Sequence, residues 1–368
     1  MSLKLQKLSG QVVHYSLKVE SGERVLITSD VVALPLIKYL IQDIEKVGGS
    51  ANVRLVNSEV DSFVLKYGSD DTIQLLSEQK KFDVDHYDCF IFIHYGENDY
   101  ESNIVPHEKK KKLSLATTKS DFIRVNKRKW VILNYPSKTD AYKAGMASST
   151  YFDYCLDVMN FNYAEMDEMM KPLKELMEKT DQVRIVAPDT DLTFSIKNMP
   201  IIPCSGEANI PDGEIYTAPV KDSVNGIITF NTPSPYMGHV FHHVSLTFED
   251  GKIVTCKADD QQEMLENIFD TDEGSRYVGE FSLGIHPLIL HPVGDILFDE
   301  KIIGSIHFTP GSAYQDAYNG NDSAIHWDLV LIQRSDYGGG EIYFDDVLIR
   351  KDGLFVLPEL KHLNYDLK

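Results

Sequence analysis

The sequence predicts an N-terminal α/β domain with a parallel sheet, followed by a mostly antiparallel β-rich domain. Two observations carry this. Over residues 10–68, strand-like apolar runs alternate with a run of helical period, and beyond about residue 183 short strand-like runs follow one another with turn residues between them. A chain of 368 residues also suits two domains better than one. We place the division between residues 1–185 and 186–368.

In the first domain, GERVLITSD supplies a strand through Val25, Leu26 and Ile27 after the turn-prone Ser21-Gly22. VVALPLIKYLIQDIEKVGG then has apolar residues at helical spacing and closes on Gly48-Gly49, a C-cap signal. NVRLV is the next strand, and the β-α-β order favours a right-handed crossover and a parallel sheet. CFIFIHYGEN and KWVILNYPS are continuous apolar runs of the kind that buried parallel strands have. Residues 107–128 between them are basic and polar, and the run Lys109-Lys110-Lys111-Lys112 reads as a solvated loop or helix end. Residues 139–181 form a long helical region whose methionines, among them Met159, Met166 and Met170, pack helices rather than bind copper. No GxGxxG follows the first strand, so nothing marks a dinucleotide site.

The second domain reads as a series of strands from VRIVAPDTDLTFSIK through EIYTAPV, GIITFN, SIHFTP, HWDLVLI and EIYFDDVLI to LFVL. Asn225-Gly226, Asp250-Gly251 and Asp352-Gly353 supply the turns of an antiparallel assembly.

Bulk properties narrow the function. A net charge of −20 sets the protein's own field against nucleic acid. No run approaches the roughly 20 apolar residues of a membrane-spanning helix. The start, MSLKLQKLSGQVV, lacks the apolar core of a secretion signal, so the expectation is a cytoplasmic protein. The four cysteines are far apart with no CxxC, which argues against a zinc ribbon or a disulfide scaffold. Any metal must then be held by His, Asp, Glu and Tyr.

Such residues gather in the second domain. If IHWDLVLI is a strand, His326 and Asp328 project to one face and Trp327 to the other. That is half a coordination shell, although a His and an Asp alternating on a half-exposed strand are also an ordinary pattern. Gly213-Glu214 and Gly279-Glu280 each place a carboxylate at a turn-to-strand junction. Adding His307 and Tyr314 makes three carboxylates, two imidazoles and a phenol, which suit two divalent cations sharing a bridging group. Such a pair lowers the pKa of a bridging water, polarises a scissile carbonyl and anchors a substrate group. His239, His242 and His243 look like a further cluster, but adjacent His242 and His243 point to opposite faces of a strand, and we read the segment as structural. His286 and His291 read as core or surface residues, and Asp189 and Asp191 as a turn.

NIPDGEIYTAP, FEDGKIV, the second Gly-Glu, LFDEKIIGSIHFTPGSAY and GNDSAIHWD occur in this order. With KVESGERVLI, KWVILNYPS and KAGMASSTYFDY in the first domain and PDTDLTF at the domain junction, the chain resembles the M29 metallo-aminopeptidases over most of its length. The resemblance implies metal ligation by Glu214, Glu280, His307, Tyr314, His326 and Asp328. It implies two divalent ions, zinc or cobalt with manganese or magnesium as alternatives, and a homodimer. Glu280 takes a bridging or proton-accepting role, and Tyr314 ligates a metal or donates to the developing oxyanion. The implied function is hydrolysis of the N-terminal residue from peptides with a free N-terminus, through a metal-activated hydroxide. The alternatives are a non-catalytic peptide or small-molecule binding protein with the same fold, and a metal-dependent amidohydrolase acting on non-peptide amides.

Overall fold

Val25, Leu26 and Ile27 are buried in the strand Arg24–Ser29 of a computed structural model that describes residues 2–96, 98 and 100–365. Ser50–Leu55 and Cys89–His94 pair with this strand on either side, and Lys129–Asn134 pairs with Cys89–His94. Asn209–Ile210 joins the far edge, and every pairing in this sheet is parallel. The crossover helix Leu34–Lys46 has Pro35 in its first turn and buries Leu36, Ile37, Leu40 and Ile44 as one stripe. Gly48, at φ +85°, turns the chain back toward the second strand.

The lysine run lies at a helix end, one of the two places expected for it, in the first turns of the 21-residue helix His107–Lys127, and Lys109 Nζ donates to the Lys66 carbonyl at 2.7 Å. The long helical region is three helices, Lys138–Lys143, Ser148–Met159 and Tyr163–Met177. Gly145 at φ +66° breaks the first junction, and Asn160 caps the second helix. Met159, Met166, Met170 and Met177 are buried, as helix packing requires. Two further helices, Ser58–Tyr67 and Asp70–His86, follow the second strand, with Asn57 and Ser69 capping their N-termini.

By their contacts, Met1–Phe161 with Gly206–Pro211 form one compact unit, and Asn162–Ser205 with Asp212–Lys368 form another. The helix Tyr163–Met177 belongs to the second unit, where the Asp212 amide donates to the Tyr163 hydroxyl at 3.1 Å. Among the described residues no helix is long and apolar enough to cross a membrane. The four cysteines are free thiols.

The second unit contains an eight-stranded and a five-stranded sheet, both antiparallel, and a two-stranded ribbon. The five-stranded sheet runs Leu329–Ile332, Ser305–Pro310, Val278–Gly284, Glu214–Thr217, Ile202–Cys204. Phe194 of the larger sheet packs on Phe281 and Phe308 with ring centroids 4.9 and 5.2 Å apart, and Phe248 meets Phe308 at 5.9 Å. The two sheets therefore face each other through a phenylalanine core.

Gly279 shows how tightly this sheet is closed. A Cβ there would stand 2.4 Å from the Ser312 carbonyl oxygen and 2.5 Å from that of Gly311. Both are backbone atoms, which cannot swing aside. Gly279→Ala is expected to destabilise the fold by about 1–3 kcal/mol, the usual cost of overpacking, read as a lower urea midpoint at unchanged slope.

Candidate metal centre

Strand parity assembles the site. In antiparallel pairs, opposed residues share a face and every second residue returns to it. Tyr216 opposes Ser282, Ser282 opposes His307, and His307 opposes Val330. Glu214, Glu280 and Thr309 lie two positions from these and share their face. His326 and Asp328 continue the same parity ahead of Val330. The opposite parity sends Ile215, Phe281, Leu283 and Phe308 into the core.

Two local expectations need correction. Glu214 does open its strand, after Gly213 at φ +129°, but Gly279-Glu280 lies inside Val278–Gly284 at a register shift. The segment IHWDLVLI is also not one continuous strand, because the regular part is Leu329–Ile332 and His326 makes a single bridge to Gly311. Side-chain bonds hold the residues before it in a loop. Asp272 accepts from the Ala324 amide at 2.7 Å and the Ser323 hydroxyl at 2.8 Å, and buried Asn321 donates to the Gly311 carbonyl at 2.6 Å. The alternation survives. His326 Nε2 lies 3.3 Å from Asp328 Oδ1, while Trp327 turns away onto Tyr236, Phe241 and Phe269.

The predicted residues converge. His307 Nε2 lies 2.9 Å from Glu280 Oε1 and 3.2 Å from Glu214 Oε2, and His326 Nε2 lies 3.5 Å from Glu280 Oε2. Glu214, Glu280 and His307 form one group whose potential ligand atoms all lie within 4.8 Å of one another. Glu280, His326 and Asp328 form a second, so the two groups share Glu280. The Tyr314 ring stands 4.7 Å from the His326 ring and 5.8 Å from that of Tyr216. Half of Tyr314 is open to solvent, yet the crowded carboxylates around its hydroxyl add to desolvation and raise the phenol well above its ordinary pKa.

The second layer orients these groups. His307 Nδ1 donates to the Glu300 carbonyl at 3.1 Å, and His326 Nδ1 to the Ser312 carbonyl at 2.8 Å. A carbonyl can only accept, so both Nδ1 atoms carry hydrogen and both Nε2 atoms face the carboxylates. The Ser282 hydroxyl donates to Glu214 Oε2 at 3.0 Å, and the Thr309 hydroxyl to Asp328 Oδ1 at 2.8 Å.

Charge crowding marks the site as built for cations. Burial alone would lower the imidazole pKa values. The Glu214 and Glu280 carboxylates more than offset it at His307, as Asp328 and Glu280 do at His326, and both rise to about 10. Burial raises Glu280. At Asp328 burial acts in the same direction, but the His326 imidazolium outweighs it and the pKa falls. Two imidazoles and three carboxylates with oriented donor atoms are hard and borderline ligands that fit divalent metal ions.

Sequence reasoning missed Glu300 and Lys301. Glu300 is pushed up to about 8 by burial, and it forms a further group of potential ligand atoms with His307 and Asp328. Lys301 is fully buried, in contact with the Glu300 carboxylate and 3.5 Å from Glu214 Oε1. The signal was present in ILFDEKIIGSIHF, where a charged triplet interrupts an apolar run. Buried charges of this kind need partners.

The other histidines lie apart. His242 bonds to Asp260 at 3.0 Å, His243 to Asp259 at 2.5 Å and His239 to Gln261 at 2.6 Å, all at exposed positions. His286 is buried, accepting from the Leu288 amide at 3.2 Å, and His291 meets the Tyr337 hydroxyl at 3.0 Å. Asp189 sits in a hairpin turn at φ +51°, and Asp191 pairs with Arg184 at 2.8 Å. Replacing His242 or His243 with Ala should leave metal content unchanged in elemental analysis of the purified protein.

Known proteins resemble this chain in sequence and fold. Aminopeptidase AmpS of Bacillus subtilis (strain 168) is 32% identical over 157 residues, covering 39% of this chain and 38% of that protein. Aminopeptidase 2 of Geobacillus stearothermophilus is 34% identical over 163 residues, covering 39% and 37%. The match therefore spans well under half the length of these curated relatives. The solved structure of wild-type AmpT from Thermus thermophilus superposes with a TM-score of 0.79 at 20% identity, covering 96% of this chain and 99% of that one, and so shares the fold. The profile of one family, described as thermophilic metalloprotease (M29), matches residues 1–353. The chain belongs to the M29 family of metalloproteases.

Proposed function

We propose that this protein is a metal-dependent aminopeptidase that removes the N-terminal residue from peptides at a centre of two divalent ions. The observation that carries the reading is Glu280, whose two oxygens face two different imidazoles, His307 at 2.9 Å and His326 at 3.5 Å. One ion would be held by Glu214, Glu280 and His307, and the other by Glu280, His326 and Asp328 with Tyr314 beside it. Glu280 would serve both. Zinc or cobalt suits this donor set, with manganese or magnesium as alternatives. When bound, such ions supply a nucleophile at neutral pH, polarise the scissile carbonyl and anchor the free α-amine.

The protein's own groups do the rest. Tyr314 is a phenol, protonated at neutral pH at its ordinary pKa of about 10, so it can donate a hydrogen bond to the developing oxyanion. It is half exposed at the cluster, where a substrate could reach it. Buried Ser282 and Thr309 hold Glu214 and Asp328 in place, which limits reorganisation during the reaction. We place the protein in the cytoplasm and as a homodimer. Exposed Val60, Phe63, Tyr67, Leu75 and Phe82 on the helices Ser58–Tyr67 and Asp70–His86 support an association surface.

The test is incubation of metal-loaded protein with aminoacyl-amides, dipeptides and their N-acetylated forms. Release from the free-amine substrates only is the expected result. No release above the metal-only blank would point to a non-catalytic binding protein, and equal cleavage of the blocked substrates to a general amidohydrolase.

A further inference from the structure

A fully buried lysine beside a set of metal-ligating carboxylates calls for a reason. Lys301 Nζ lies 3.5 Å from Glu214 Oε1 and touches the Glu300 carboxylate. Glu214 Oε2 is engaged differently, accepting from Ser282 at 3.0 Å and standing 3.2 Å from His307 Nε2. The two oxygens of one carboxylate are thus sorted, Oε1 toward a resident cation and Oε2 toward the imidazole. The backbone ties the arrangement together. The Glu300 carbonyl accepts from His307 Nδ1 at 3.1 Å, and the Lys301 carbonyl accepts from the His286 amide at 3.0 Å. One dipeptide therefore touches both Glu214 and His307, which belong to the same half of the centre.

We propose that Lys301 is a positioning residue that fixes Glu214 for single-oxygen ligation and so sets the metal affinity of the Glu214–His307 half of the centre. The proposal rests on the two-ion reading above and deepens it. Glu300 keeps Lys301 in place by sharing its charge, and a carboxylate already held in its ligating orientation loses little freedom when an ion arrives. A cation this close also repels the ions. Its removal therefore weakens binding if orientation dominates and tightens it if repulsion dominates, so the sign of the change is diagnostic.

The experiment is zinc titration of metal-stripped full-length protein against a chromophoric chelator, with circular dichroism to confirm the fold. Wild type is expected to take up two ions. In Lys301→Met one of them should bind about 10–100-fold more weakly, the usual cost of losing a group that orients a ligand, while the other changes little. Lys301→Arg, which keeps the cation, should recover most of the loss. Lys301→Gln, which keeps a donor without the charge, replaces the Met variant if that one does not fold. Unchanged or tighter zinc binding in a folded neutral variant overturns the proposal. Equal weakening of both ions also overturns it, as does an Arg variant no better than the neutral one. A wild type that takes up no zinc overturns the two-ion reading itself, a result readily told apart from failure of the Lys301 role alone.

Discussion

Glu280→Gln should empty both halves of the proposed centre and abolish hydrolysis in one step. The substitution keeps the side-chain volume and removes one charge. That charge faces His307 through Oε1 and His326 through Oε2, and both imidazoles need it. Glu280 is 3% exposed, so the lost charge is not replaced by bulk solvent. Asp328→Asn is the contrast. Asp328 lies 3.3 Å from His326 and accepts from Thr309 at 2.8 Å. Although its ligand atom also groups with those of His307 and Glu300, it is the His326 half that would lose a ligand, so its loss should release one ion and leave the other. Elemental analysis of dialysed samples should read near two, near zero and near one ions per chain for wild type, Glu280→Gln and Asp328→Asn. Peptide hydrolysis by Glu280→Gln should fall by on the order of 10³-fold or more, as the electrostatic stabilisation is lost. A Glu280→Gln protein that keeps both ions would exclude the bridging role.

Metal-stripped protein should lose stability as pH rises, and zinc should restore it. His307 and His326 stand at about 10 in the folded chain, above the ordinary histidine value of 6.5. A raised basic group stabilises the fold fully below its unfolded pKa, and that contribution disappears as pH climbs through the folded value. Glu300, raised by burial to about 8, acts in the same direction, since ionising it inside the protein costs stability. The window therefore opens near pH 4.5 with Glu300, whose share ends near pH 8, and for the two imidazoles runs from about pH 6.5 to about pH 10. Its slope is about 1.4 kcal/mol per pH unit for each excess proton the folded state holds. Bound cations replace those protons, so metal binding releases protons and strengthens as pH rises. Denaturant unfolding of stripped and zinc-loaded samples at pH 6.5, 7.5 and 8.5 checks this. The gap between them should widen with pH, and parallel curves would mean that the imidazoles do not carry the charge described.

Much of the architecture was legible because it rests on local chemistry. Continuous apolar runs within Cys89–His94 and Lys129–Asn134 read as strands of a parallel sheet, the second of them buried on the face of Val131 and Leu133 and half-buried on that of Trp130 and Ile132. The crossover helix Leu34–Lys46 announced itself by its apolar stripe and its closing glycine. The helices Ser58–Tyr67 and Asp70–His86 were less readable, because Val60, Phe63, Leu75 and Phe82 stay exposed and blur the stripe. The breaks within residues 139–181 depend on Gly145 adopting positive φ, which a glycine permits but does not announce.

At the site, the sequence by itself determined the ligand types and the two-residue spacing of His326 and Asp328, since alternation along a chain is a local property. It also carried the family, through an ordered set of motifs. Only the tertiary structure decided which carboxylate stands between the two imidazoles. That follows from register: Ser282 opposes both Tyr216 and His307, which brings Glu214, Glu280 and His307 onto one face from strands far apart in sequence. The same is true of Lys301. Its charge looked like surface until the sheet closed over it, because burial and the nearness of Glu214 are properties of packing that spacing along the chain does not encode.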